Sequence, residues 1–259
     1  MDKHTSAGAA KATVLQALNV TLRFGGVTAL SEVSVDVRDD ELLAIIGPNG
    51  AGKSSLMNVL SGFYLPQEGT VHYRGKSIKG RAVHQIARDG IVRTFQGTHL
   101  FSNMSVGRYS LMRSGLLQSF LYFPWTQREE SQHREVVEDI IDFLEIESIR
   151  HQPVGTLGYG LRKRVDLGRA LAMEPQVLLM DEPMAGMNTE EKEDLARFII
   201  DVREAKHIPV VLVEHDMGVV MDLADRVAVL DFGRKIADGT PAQVQADPAV
   251  VKAYLGAAA

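Results

Sequence analysis

Residues 42–54 read LLAIIGPNGAGKS, and the fold follows from this stretch. Leu42–Ile46 is a short, continuous apolar run, the pattern of a strand buried on both faces of a parallel sheet. Gly47, Pro48, Asn49, Gly50, Ala51, Gly52, Lys53 and Ser54 then satisfy G-x-x-x-x-G-K-[ST], and SSLMNVLSG reads as a helix ending at Gly62. A glycine-rich turn between strand and helix can fold tightly and aim successive backbone N–H groups at phosphate oxygens, while the helix N-terminus adds a favourable dipole. Lys53 would supply a point charge to β- and γ-phosphates, Ser54 a hydroxyl to Mg²⁺, and Ser55 is placed to reach an α-phosphate.

The pattern repeats on either side. VLLM at 177–180, PVVLV at 209–213 and VAVL at 227–230 are further buried strands, and VVEDIIDFLEI at 136–146 is an amphipathic helix. Thr189 is expected to cap a helix whose first turn carries Glu190 and Glu191. TPAQ at 240–243 is a capping box with proline at the first helical position, and Asp247-Pro248 opens a last short helix the same way. Before the phosphate loop, LQALNVTL and ALSEVSVDV alternate as strands of an antiparallel sheet do. Short strands alternating with helices predict an α/β fold with a mainly parallel sheet. To this the sequence adds an antiparallel β subdomain and a helical subdomain over about 97–165, with residues 1–12 as a flexible tail and 13–259 as one domain.

The composition bounds the function. With 259 residues and 45% hydrophobic content the chain can bury a sizeable core. A net charge of −5 and the lack of a basic stripe argue against nucleic acid as a partner. There is no cysteine, which excludes disulfides, thiolate metal sites and a cysteine nucleophile. No apolar run approaches the ~20 residues that span a bilayer, so work at a membrane calls for another chain to supply the span.

Two strand ends carry candidate chemistry. VLLMDEP places Asp181 and Glu182 at the C-terminal end of a buried strand, where ligands of open α/β sheets sit. Asp181 is expected to organise Mg²⁺ and its waters, and Glu182 to orient and polarise an attacking water, a contribution of about 10²–10⁴ in rate. PVVLVEHDM ends in Glu214, His215 and Asp216, and His215 is positioned to sense a γ-phosphate.

In this order the motifs resemble those of the ABC ATPases from Val14 to Gly256. VRTFQ puts Gln96 at the family's glutamine loop, which touches Mg²⁺ and couples to the membrane partner. LGYGLRKRVDLGRALAMEP looks like its signature segment, DEPMAGMN contains the loop that crosses to a partner ATPase, and His215 fits its switch histidine. Phe24, in LRFGG, fits the aromatic that stacks on adenine, although a buried strand phenylalanine reads the same way. RTFQGTHLFSNMSV, LVEHDMGVVMDLADRVAVLDFGRKIADGTP and AVVKAYLG are similar to branched-chain amino-acid uptake ATPases, a group that also serves amides, urea and aromatic acids. Lipopolysaccharide-export ATPases are similar too. The resemblance implies an ATP-hydrolysing subunit on the cytoplasmic face of the inner membrane. It would work with integral-membrane permease subunits, a second ATPase subunit and, indirectly, a periplasmic or extracellular solute-binding protein.

One segment departs from the family pattern. Where the signature usually reads Leu-Ser-x-Gly-Gln, this chain has Leu157-Gly158-Tyr159-Gly160-Leu161, without the serine hydroxyl or the glutamine amide. Backbone N–H groups at Gly158, Tyr159 and Gly160 would still face a partner's nucleotide. The lost hydroxyl is expected to cost ~1–3 kcal/mol of γ-phosphate stabilisation, which favours a heterodimer with one competent composite site. Arg162, Lys163 and Arg164, just beyond, read as a solvated helix face. FLYFPW at 120–125 reads equally as a patch against a membrane subunit or as internal packing.

Overall fold

The computed structural model describes residues 11–94 and 124–256. Two sheets organise it. A four-stranded antiparallel sheet runs β2-β1-β4-β5, from β1 (Thr13–Phe24), β2 (Val27–Arg38), β4 (Glu68–Tyr73) and β5 (Lys76–Ser77). A six-stranded sheet runs β10-β9-β3-β8-β7-β6, from β3 (Leu42–Ile46), β6 (Ile91–Arg93), β7 (Val177–Asp181), β8 (Val210–Val213), β9 (Arg226–Asp231) and β10 (Arg234–Gly239). It is parallel except for β10, which runs antiparallel to β9. The expected α/β core and antiparallel subdomain are both present.

The larger sheet is covered on both faces, which is why its strands read as unbroken apolar runs. Leu42, Ala44 and Ile46 point into one core with Leu178, Met180, Val210 and Leu212. Leu43 and Ile45 point into the other with Leu179, Val211 and Val213. The first core is closed by α3 (Pro124–Phe143), α4 (Tyr159–Leu171) and α5 (Thr189–Lys206), and the second by α1 (Lys53–Leu60) and the antiparallel sheet. The short helices α2 (Val83–Arg88), α6 (Met217–Leu223), α7 (Pro241–Ala246) and α8 (Pro248–Gly256) fill the remaining connections. No helix among the described residues is long and apolar enough to cross a membrane.

The helix starts show where sequence signals suffice. Thr240 accepts from Gln243 N–H and Gln243 returns to Thr240 N–H, the capping box expected at α7. At α5 the cap is Asn188 rather than Thr189: Asn188 Oδ1 accepts from Glu191 N–H at 2.9 Å, and Glu191 Oε2 accepts from Asn188 N–H at 3.0 Å. Asparagine caps at least as well as threonine, and only from position 188 does a glutamate fall three residues on to close the box. At the other end of the chain, Lys11 and Ala12 are engaged with the end of β2, since Asp39 N–H donates to the Ala12 carbonyl and Lys11 Nζ to that of Asp40.

A buried arginine joins the two sheets. Arg226, at the start of β9 with its side chain 10% exposed, pairs with Asp36 of β2 at 2.8 Å, Asp238 of β10 at 2.6 Å and Glu41 at 3.4 Å. Burial alone pushes the Asp36 and Asp238 carboxyls up, but their hydrogen bonds to the guanidinium outweigh it and hold both below the usual aspartate value of 3.8. Carboxyls depressed in this way stabilise the fold above about pH 4, and that stabilisation is lost as pH falls through their lowered values. Arg226→Leu leaves buried Glu41 without a cation and partly exposed Asp36 and Asp238 with only Arg38 and Lys235, and is expected to cost ~2–3 kcal/mol in urea unfolding at pH 7. In the same titration the loss of stability on the acid side of pH 4 shrinks in the variant, because those two groups are no longer depressed as far.

Candidate nucleotide site

The strand register brings the candidate residues to one edge. In β3, Ile45 pairs with Val213 of β8, and in β7, Asp181 pairs with the same Val213. The three strands therefore end level, and the residues that leave them are Gly47 from β3, Glu182 from β7 and Glu214 from β8. β6 joins from the far side of β7, with Arg93 paired to Leu179 and Thr94 N–H bonded to the Leu179 carbonyl.

The phosphate loop is shaped by close backbone approach. A Cβ at Gly47 would stand 2.1 Å from the Leu230 carbonyl oxygen, and one at Gly52, which has φ +101°, would stand 2.6 Å from that of Ala29. Either side chain would force the loop off the sheet. Between them Ala51 is buried, while Asn49, Gly50 and Ser54 are exposed and Pro48 and Ser55 half-buried. Ala51 is fixed at both ends, its N–H donating to the Pro48 carbonyl at 3.2 Å and its carbonyl accepting from Gly233 N–H at 3.0 Å. The loop thus presents its polar groups outward at the start of α1, where an anion is favoured.

Lys53 reaches back over the loop. Its ammonium donates to the carbonyls of Gly47 at 2.7 Å and Pro48 at 3.0 Å. Burial holds it below the usual lysine range, against the opposing pull of the Glu182 and Asp181 carboxylates. That electrostatic contact places the lysine and both carboxylates in one site. Two neutral carbonyls are weak partners for an ammonium, and a phosphate dianion suits it better.

The carboxylates differ in environment. Asp181 is 3% exposed, its Oδ2 accepts from Arg93 at 2.7 Å, and its buried Oδ1 has no hydrogen-bond partner among the described residues. An orphaned buried carboxylate oxygen at a strand end that acts on Lys53, with the exposed Ser54 hydroxyl next to that lysine in the chain, fits a hard cation such as Mg²⁺. Glu182 is half-buried and left-handed, with φ +49°, a conformation worth ~1–2 kcal/mol of strain in a residue other than glycine. Its N–H bonds the Val213 carbonyl at 2.8 Å, and its Oε1 meets His215 Nε2.

Glu214, in the sequence no more than one member of a polar cluster, builds the turn. It is 3% exposed, and its Oε1 accepts from Met184 N–H at 2.7 Å and its Oε2 from His215 N–H at 3.3 Å. Burial raises its pKa, and the two backbone donors resist the rise. The sequence signal for this role is a glutamate directly continuing the apolar run VVLV, where an unpaired side chain would be costly.

Phe24 is an exposed strand end rather than a buried core residue. It pairs with Val27 across the Gly25-Gly26 turn and contacts Tyr64 edge-on at 5.1 Å between ring centroids. The hairpin abuts the phosphate loop through Ala29 and Gly52, so an exposed ring stands on the element that flanks the loop. Gln96 and most of the FLYFPW patch lie outside the described residues.

The segment 157–161 is packed against the loop after Glu182. Gly158 is the N-cap of α4 and gives no side-chain cap, Tyr159 is exposed with its ring 3.6 Å from where a Gly186 Cβ would be, and Gly160 N–H donates to Glu191 Oε1 at 3.0 Å. The three basic residues beyond are not a solvated face. Lys163 is buried beneath the Tyr159 ring, Arg164 pairs with Asp194 and stacks on Phe198, and Arg162 holds the carbonyls of Leu157 and Gly155. Lysine and arginine stems cover apolar surface as readily as they reach water, so a charge run does not by itself mark an exposed side.

A glycine-rich turn between a buried strand and a helix, with a lysine reaching back over it and carboxylates at the neighbouring strand ends, is the architecture of a phosphate-loop nucleotide hydrolase. The ABC transporter family pattern matches residues 30–185, and a pattern described as branched-chain amino acid ATP-binding cassette transporter matches residues 234–259. The chain belongs to the ABC transporter family and is an ATPase, the ATP-binding component of a transporter. It is 36% identical to the high-affinity branched-chain amino acid transport ATP-binding protein BraF of Pseudomonas aeruginosa, over 95% of this chain and 98% of that one. It is also 36% identical to LivG of Salmonella typhimurium, over 92% and 95%. The ADP conformation of an ATP-binding cassette from an ABC transporter superposes with a TM-score of 0.81 at 32% identity, covering 95% of this chain and 99% of that one.

Glu191 thus caps α5 with one oxygen and holds Gly160 with the other. Glu191→Ala is expected to lower stability by ~1–2 kcal/mol, and Glu191→Gln by less, because an amide oxygen still accepts. Urea unfolding of the two variants beside the parent chain checks the order.

Proposed function

We propose that this chain drives solute uptake, with branched-chain amino acids or a related amide or organic acid as cargo, through separate integral-membrane permease subunits. It works on the cytoplasmic face of the inner membrane beside a second, different ATPase subunit. A periplasmic or extracellular solute-binding protein delivers the cargo without touching it. The cargo class rests on the relatives' names and on the match at residues 234–259.

The observation that carries the catalytic reading is the Glu182–His215 contact beside Lys53 and Asp181. The N–H groups of Gly47–Ser54 bind the phosphates, Lys53 leaves its loop carbonyls for the β- and γ-phosphates, and Ser55 reaches the α-phosphate. Phe24 stacks on the adenine. Mg²⁺, when bound, neutralises charge on the β- and γ-phosphates, and Ser54, Asp181 and Gln96 would hold it. Glu182 orients and polarises the attacking water, while His215 exchanges its bond to Glu182 for one to the γ-phosphate. Gly158 and Tyr159 complete the site of the partner ATPase; the Gly160 N–H, expected to join them, is already committed to Glu191 Oε1.

Size-exclusion of the Glu182→Gln chain with and without Mg-ATP tests this. The variant should keep nucleotide binding while turnover falls ~10²–10⁴-fold. It should stay monomeric with ATP alone and dimerise when a partner ATPase with an intact signature is added. An ATP-induced homodimer would remove the asymmetry, and failure to bind ATP would remove the site.

Gly158→Ser tests the altered signature cleanly. A Cβ there meets no atom within 4 Å, and the residue's φ of −58° suits any L-residue. Turnover of the assembled transporter should rise ~5-fold or more, the equivalent of ~1 kcal/mol regained, whereas unchanged turnover would show that the backbone donors suffice.

A further inference from the structure

Arg93 ends β6, three residues before Gln96, and neither binds nucleotide nor takes part in hydrolysis in the scheme proposed for this chain. Its side chain is 12% exposed and its guanidinium forks between two elements: Nη2 donates to Asp181 Oδ2 at 2.7 Å and Nη1 to Asn58 Oδ1 at 2.5 Å. Asn58 stands on α1 four residues after Ser54, so the two share one face of that helix. The same guanidinium therefore grips the strand end that carries Asp181 and the helix face that carries Ser54. A carboxylate free to turn about its terminal bond would present either oxygen. Held by Oδ2 it cannot turn, and Oδ1, buried and without a hydrogen-bond partner among the described residues, remains for a ligand.

We infer that Arg93 is a positioning residue for the divalent cation of the nucleotide: its fork between Asn58 and Asp181 Oδ2 fixes Asp181 Oδ1 at a set place relative to Ser54. The inference rests on the reading of Asp181 and Ser54 as metal-holding groups. Its consequence runs against simple electrostatics. Removing a cation next to a metal site should by Coulomb's law tighten metal binding. Removing the group that orients a metal ligand loosens it, commonly by 10–100-fold. The sign of the change distinguishes an orienting arginine from one that merely neutralises Asp181 until the metal arrives.

The experiment uses the full chain with a fluorescent N-methylanthraniloyl ATP, titrated with Mg²⁺, and repeated in EDTA. Arg93→Met keeps the apolar stem and deletes the fork. The half-saturating Mg²⁺ concentration should rise ~10-fold or more, while nucleotide affinity in EDTA stays within about twofold. Arg93→Lys, with one charge but no fork, should recover only part. Asn58→Leu leaves the Arg93–Asp181 bond and removes its second anchor, so it should shift Mg²⁺ in the same direction by less; it carries the test if Arg93→Met fails to fold. An unchanged or lower half-saturating Mg²⁺ concentration in Arg93→Met and Asn58→Leu overturns the inference. If the parent chain binds nucleotide equally with and without Mg²⁺, the metal reading itself falls and the inference with it.

Discussion

Gly47 leaves β3 so close to the Leu230 carbonyl that no side chain fits between them, and the rest of the site is built out from that contact. β3 lies between β8 and β9 with both faces buried, so its end cannot shift without dragging two cores. The contact sets where the loop begins. Ala29 against Gly52 and Gly233 N–H on the Ala51 carbonyl set where it ends. A loop pinned at both ends to backbone keeps its N–H groups in place before any ligand arrives, so little ordering has to be done at binding. The same packing brings the β1–β2 hairpin, with Phe24 at its tip, alongside.

Around this loop the charges are kept apart by their bonding partners. Lys53 rests on carbonyls, Asp181 on Arg93, Glu182 on His215 and Glu214 on backbone N–H groups. Within one small site these groups do not collapse into a single Lys–carboxylate pair. A buried pair of that kind would have to be broken before a phosphate could enter, at a cost of several kcal/mol. Partners that are weaker or already committed leave the lysine available.

Much of this is legible in the sequence, for reasons particular to each element. LLAII, VLLM and VVLV stand out because strands buried on both faces have no polar positions. The G-x-x-x-x-G-K-[ST] spacing is a direct image of backbone geometry, and Asp181, Glu182 and His215 are strand-end residues beside it. Other features depend on partners far along the chain. Three-residue β6 is too short for a period, and Arg93 acquires meaning only from Asn58, 35 positions before it, and Asp181, 88 after it. Lys163 reads as solvated because a helix pattern does not show that Tyr159 lies over its ammonium. The cap of α5 falls one residue earlier than expected because Asn188 and Thr189 are both good caps, and Glu191 decides between them through a side-chain bond.

That Glu191 bond is also the first link of a longer polar chain. Gly160 hangs on Glu191, the next residue, Lys192, holds Asp216 at 2.7 Å, and Asp216 adjoins His215, which rests on Glu182. These polar bonds and the peptide links between them run from the start of α4 to Glu182. Several of them are half-exposed, and exposed ion pairs of this kind are worth ~1 kcal/mol or less. A linkage of bonds this weak ties the start of α4 to Glu182 while the chain rests, yet any one of them can part at little cost without disturbing the rest of the fold.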